Sequence, residues 1–72
     1  MMNVTLFRGP NDETNFDVSN VVKEDDGTIT AILWCTHGSW EGLATFYKDN
    51  KVRVKDTTYG HVVEYDNYKV IR

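Results

Sequence analysis

Residues 16–35, FDVSNVVKEDDGTITAILWC, contain two runs of alternating apolar and polar side chains, one on each side of Asp25-Asp26-Gly27. Alternation with a period of two is typical of a β-strand that buries one face. Asp-Gly sequences favour the tight turns that join the two strands of a hairpin. This stretch therefore predicts a β-hairpin whose strands cover residues 15–23 and 28–36.

The position of the turn determines which residues of the hairpin face each other. The pairs predicted for the core side are Phe16–Cys35, Val18–Leu33, Asn20–Ala31 and Val22–Ile29. Seven of these eight side chains are apolar, which supports the pairing. Cys35 is thereby placed in the core, where a thiol ionises little and is unreactive. We expect Cys35 to react slowly with thiol reagents in the folded protein.

Cys35 and His37 lie two positions apart, between Trp34 and Trp40, which raises the alternative of a reactive or metal-binding pair. A nucleophile needs an oriented base and an oxyanion site, and structural zinc needs about four ligands. The chain has one cysteine and two histidines. We interpret His37 as a polar residue at the end of a strand, and we expect no catalytic residue, no metal site and no cofactor.

Alternation continues along the rest of the chain. The strands predicted are 2–8, 15–23, 28–36, 41–48, 51–57, 61–65 and 68–72. Gly42 and the run Thr45-Phe46-Tyr47 favour a strand over a helix in residues 39–48. We predict one all-β domain over residues 1–72. It is either a small barrel of the SH3-like or OB-like kind, which leaves no open edge, or a strongly bent antiparallel meander.

Asp49-Asn50 and Asp66-Asn67 predict two further hairpins, because Asp and Asn tolerate the backbone angles of tight turns. The first turn pairs Tyr47 with Val52 in the core and leaves Phe46 opposite Arg53 on the outside. The second turn pairs the last two strands with each other.

The composition indicates the cellular compartment of the protein and its relation to membranes. The longest uninterrupted apolar run, Ala31 to Cys35, is far too short to span a bilayer, and no secretion signal is visible. A single unpaired cysteine is typical of a reducing compartment. We expect a cytoplasmic protein that does not enter a membrane.

The outer face of the first hairpin carries Val21, Ile32 and Trp34, where a solvent-facing surface is usually polar. Exposed apolar patches mark interfaces, although another segment could instead cover this one. We interpret the chain as a non-catalytic protein-interaction module, an inhibitor or adaptor, with Trp40 and Phe46 as further anchors. A small core without disulfide or metal also favours a homodimer.

Nucleic-acid binding is the alternative function. It requires cations that contact phosphates and aromatic rings on which bases stack. The candidate residues are Phe46, Lys48, Lys51, Arg53 and Lys55. The charge distribution argues against this function: residues 1–42 carry a net charge of −5, residues 43–72 carry +2, and the whole chain carries −3.

Overall fold

All seven predicted strands occur in the computed structural model, which describes residues 2–35 and 40–71. The strands are β1 (Met2–Gly9), β2 (Asp12–Lys23), β3 (Ile29–Cys35), β4 (Glu41–Phe46), β5 (Val52–Asp56), β6 (Val62–Tyr65) and β7 (Asn67–Val70). They form one antiparallel sheet that curls into a nearly closed small barrel, which confirms the predicted fold class. The predicted strand ends at residues 36 and 72 and the turn at residues 37–39 lie outside the described residues.

The barrel closes through the C-terminal segment. The strand order is β6-β5-β4-β3-β2-β1-β7, so the two edge strands of the sheet are neighbours in the sequence. β6 pairs with β5 and β7 pairs with β1, which means that the predicted Asp66-Asn67 hairpin is wrong. Asp66 is instead a bend, and its amide donates a hydrogen bond to the carbonyl oxygen of Phe7 at 2.8 Å. The segment from β6 to β7 thus pairs with both outer strands, β5 and β1, of the five-stranded sheet formed by β1 to β5.

The β2–β3 hairpin follows the predicted pairing only in the half far from its turn. Phe16 lies opposite Cys35 and Val18 lies opposite Leu33, as predicted. A β-bulge then shifts the pairing by one residue, so Val22 faces Thr30 instead of Ile29. The bulge lies at Asn20, whose φ of 54° is in the left-handed region. A bulge adds a residue to one strand, and the predicted pairs nearest the turn are therefore wrong.

The β4–β5 hairpin is also displaced by one residue from its prediction. The Tyr47 amide donates to the Lys51 carbonyl, so the loop has three residues, 48–50, and the last of them, Asn50, has a φ of 71°. Such loops combine a turn with one left-handed residue. Phe46 consequently lies opposite Val52. Because a shift of one residue turns every side chain of a strand to the other face, Phe46 points inward.

The hydrophobic core lies inside the barrel, with a pair of aromatic rings in contact towards each end. Its buried apolar residues are Val4, Leu6, Phe16, Val18, Ala31, Leu33, Ala44, Phe46, Val52 and Val54. At one end the Trp40 ring packs against Phe16, with 5.5 Å between the ring centroids. Towards the other end, Phe46 meets Tyr68 edge-on at 4.9 Å. A different aromatic pair therefore marks each end of the barrel.

Candidate functional site

The five residues predicted to bind a protein partner do not form one surface. Ile32 and Trp34 lie on the outside of β3, as predicted. Val21 follows the bulge and lines a cavity together with core residues. Trp40 is partly buried against the core. Phe46 is 7% exposed and belongs to the core, so its predicted place on the outer face is wrong.

The outer face of β3 and β4 carries an apolar patch formed by Ile32, Trp34 and Leu43, called here the β3–β4 face. Ile32 and Leu43 are directly opposite each other on the two strands. Trp34 is 49% exposed and Leu43 is 44% exposed. Residues directly opposite on one face of a sheet have Cβ atoms about 4.5–5.5 Å apart, so Ile32 and Leu43 are neighbours, and Trp34 lies on the same face two positions along β3 from Ile32.

The described segments leave the β3–β4 face uncovered. β1 pairs with the far side of β2 and does not cross it, and Trp40 packs inside the barrel on Phe16. Within residues 2–35 and 40–71, neither β1 nor Trp40 covers Trp34, and the alternative that another of these segments covers the patch is therefore wrong. Beside Trp34, a hollow of about 130 Å³ is bordered by Asp17 and Ser19 of β2.

Sequence reasoning missed Leu43 because it placed the β4 side chains on the wrong face. The neighbours of Leu43 are Gly42 and Ala44, and both are buried. Gly42 leaves room for the Trp40 ring: a Cβ there would lie 2.8 Å from the ring's Cζ2 atom and 2.9 Å from Val54 Cγ1. Because Gly42 and Ala44 point inward, Leu43 between them points outward, whereas the alternation in the sequence fits Leu43 to either face.

Cys35 is exposed, which contradicts its predicted burial. Although it lies opposite Phe16, the position against the Phe16 ring is taken by Trp40. The Cys35 amide donates to the Trp40 carbonyl oxygen at 3.3 Å, at the point where the pairing of β3 with β4 ends. The prediction for His37 lies outside the described residues.

The loop after β5 is organised by Asp56. Its carboxylate accepts hydrogen bonds from the Thr58 amide at 2.6 Å, the Tyr59 amide at 3.2 Å and the Trp40 indole at 3.3 Å. The Thr58 amide is the main cause that lowers the pKa of Asp56, with smaller contributions from Tyr59 and Trp40. Tyr59 itself is 77% exposed and stacks on His61 with 6.0 Å between ring centroids. The Asp56 carboxylate thus holds both the backbone of the loop and the Trp40 indole in place.

Carboxylates lie close to most of the cations on the predicted nucleic-acid face and offset their positive charge. Arg53 lies directly opposite Glu64, and its guanidinium is 3.4 Å from the Glu64 carboxylate. Lys51 approaches Asp66 at 4.0 Å. The Lys48 side chain lies over Gly27, in the turn that follows Asp25 and Asp26. With Phe46 buried, these cations also lack the aromatic ring on which a base was predicted to stack.

The described residues contain no group of three or more His, Cys, Asp or Glu placed to hold a metal ion. In residues 2–35 and 40–71 there is also no helix of the length and hydropathy needed to cross a membrane. The chain matches no protein-family model, no curated protein and no solved structure in the three comparisons. Functional inference therefore depends on the surfaces themselves.

Proposed function

We propose that the chain is a non-catalytic protein-interaction module, an inhibitor or adaptor, that binds its partner through the β3–β4 face. The observation that carries this proposal is the half-exposed indole of Trp34 beside the Ile32–Leu43 pair on the outside of a nearly closed barrel. Large apolar side chains gathered on the surface of a small domain mark interaction sites.

The composition of the face supports the same proposal. Tryptophan is the residue type most enriched among interface residues whose truncation costs about 2 kcal/mol or more. Asp17 lies opposite Trp34 on β2, Glu41 lies opposite it on β4, and Lys55 lies opposite Leu43 on β5. An apolar centre surrounded by charged residues is the usual anatomy of a protein interface.

A second copy of the chain is the first partner to test. The face has carboxylates on the side of Trp34 and a cation on the side of Leu43, so a copy turned by 180° can bring unlike charges together. Homodimers of this kind use one self-complementary surface on both subunits. A domain of 72 residues also has a small core, and self-association adds buried apolar area.

Nucleic-acid binding has weaker support than protein binding. Two of its four predicted cations, Lys51 and Arg53, are within 4.0 Å of carboxylates, and Phe46 is in the core. Each phosphate contact must compete with these intramolecular pairs before it can release counterions from the nucleic acid.

The experiment compares the wild type with Trp34→Ala and Leu43→Asp. Ile71→Asp is the matched control, because Ile71 is another exposed aliphatic residue but lies after β7. Sedimentation velocity measures self-association, and capture from a host lysate followed by mass spectrometry detects other proteins. We expect both face variants to lose at least one specific complex that the wild type and Ile71→Asp form. The complex should change little between low and moderate salt.

Two results would overturn the proposal. The first is a wild type that is monomeric and retains no protein that Trp34→Ala and Leu43→Asp fail to retain. The second is binding of a single-stranded oligonucleotide with a steep salt dependence that Arg53→Ala/Lys55→Ala flattens. In that case each lost phosphate contact should reduce the logarithmic salt slope by about one unit.

A further inference from the structure

We propose that the end of the barrel opposite Trp40 is a binding site for a small apolar molecule, such as a single aromatic ring or a short branched hydrocarbon group. A cavity of about 220 Å³ opens there between the start of β3, the end of β4 and β7. This site is separate from the β3–β4 face and does not depend on the proposed function.

The lining of the cavity determines the chemistry of the ligand. Val4, Ala31 and Phe46, all buried core residues, contribute to it, together with the exposed side chains of Met2 and Val70. No charged side chain lines the cavity among the described residues. An apolar lining of this kind favours apolar guests, because binding removes apolar surface of both the ligand and the cavity from water. A charged or strongly polar ligand would lose its hydration without gaining partners.

The bulge in β2 keeps a polar side chain out of the cavity lining. With regular pairing, Asn20 would lie opposite Ala31 and present its amide to the cavity. The observed bulge, with Asn20 in a left-handed conformation at φ 54°, brings Val21 to the cavity instead. Asparagine tolerates the left-handed conformation, and bulges often redirect a side chain next to a binding site. The bulge therefore places an apolar side chain at the cavity where regular pairing would place a polar one.

The volume of the cavity limits the size of the ligand. An apolar protein cavity of roughly 150 Å³ is sufficient to bind benzene. A cavity of about 220 Å³ therefore accommodates an aromatic ring with one or a few additional carbon atoms. Tyr68 supplies the one hydroxyl group among the lining side chains, so the lining offers a ligand a single polar side-chain group.

Two adjacent valines provide a matched test. Val21 and Val22 are 50% and 51% exposed, but only Val21 lines the cavity. The probe is toluene, titrated into the isotopically labelled protein while the methyl resonances are followed by NMR. We expect saturable shifts at Val4, Ala31 and Val70. Val21→Asp should weaken binding at least about tenfold, because it places a charge against the ligand, whereas Val22→Asp should leave the affinity unchanged within about twofold.

Val21→Ala is the second variant, and it keeps the test valid if the aspartate at position 21 prevents folding. It removes apolar contact from the rim and should weaken toluene binding several-fold, with Val22→Ala again as the control. The proposal is overturned if toluene causes no saturable shift at the cavity residues up to its solubility limit. It is also overturned if the substitutions at positions 21 and 22 weaken binding equally.

Discussion

Truncation of Phe46 distinguishes the observed pairing of β4 and β5 from the pairing that the sequence predicts. In the structure Phe46 is 7% exposed and lies opposite Val52, whereas its neighbour Tyr47 is 37% exposed. The predicted pairing reverses these roles: Tyr47 faces the core and Phe46 faces solvent. Phe46→Ala and Tyr47→Ala are therefore a matched pair of aromatic truncations at adjacent positions.

The expected cost follows from burial. Removal of a buried phenylalanine side chain lowers the free energy of unfolding by about 3–5 kcal/mol through lost apolar burial and the remaining cavity. This value includes the edge-on contact with Tyr68 at 4.9 Å, since such aromatic pairs contribute about 0.5–1.5 kcal/mol. Tyr47→Ala should cost less than about 1 kcal/mol, because a partly exposed residue loses little buried area and its backbone hydrogen bond to Lys51 remains.

Urea denaturation followed by circular dichroism measures both free energies. A domain of this size has a total stability of only about 4–11 kcal/mol. Phe46→Ala therefore risks unfolding the protein, and Phe46→Leu serves as the milder variant at about 1 kcal/mol. A loss of that size should lower the melting temperature by roughly 4–8 °C.

The opposite order of effects would refute the observed pairing. If Tyr47→Ala costs several kcal/mol while Phe46→Ala and Phe46→Leu cost almost nothing, the hairpin has a two-residue turn and Phe46 lies outside. Equal and small effects at both positions would show that neither ring packs in the core.

Three further predictions concern the end of the barrel at Trp40. Cys35 should react with a thiol reagent in the folded protein nearly as fast as in urea, and Cys35→Ser should change stability by less than about 0.5 kcal/mol; strong protection would contradict its exposure. The Thr58 amide and the other donors lower the folded pKa of Asp56 below its ordinary value of 3.8. The resulting stabilisation is therefore present above pH 3.8 and lost as the pH falls through the folded pKa. Asp56→Asn should reduce the loss of unfolding free energy at acid pH and change Trp40 fluorescence at neutral pH. An unchanged dependence of stability on pH would contradict the role of Asp56. Gly42→Ala should lower the melting temperature and alter Trp40 fluorescence, because the added methyl group meets the Trp40 ring; an unchanged spectrum and melting temperature would contradict that contact.

Strand positions were predictable because they depend on local features. Alternation of apolar and polar residues marks the strands, and the turn containing Asp26 and Gly27 separates β2 from β3 as expected. The apolar character of Ile32 and Trp34 on an outer face was equally visible. These properties follow from the side chains themselves and from the period-two geometry of an extended chain.

Pairing near the turns was not predictable in the same way. The bulge at Asn20 and the left-handed conformation of Asn50 each shift a strand by one residue, and one residue is enough to reverse its faces. Alternation cannot detect either shift, because the same apolar residues fit both registers until the neighbouring strands are present. The one-residue shift between β4 and β5 moves Phe46 from the outer face to the core, and it thereby removes the aromatic ring from the predicted nucleic-acid face.

The sequence by itself determined the number of strands, most of their boundaries to within one or two residues and the all-β class, since these depend on local propensity and periodicity. Only the tertiary structure decided that the chain bends at Asp66, so that β6 pairs with β5 and β7 pairs with β1 instead of the two forming a hairpin, because this pairing depends on residues that are distant in the chain. It also decided that Trp40 rather than Cys35 packs against Phe16, since two side chains cannot occupy the same space in a close-packed core.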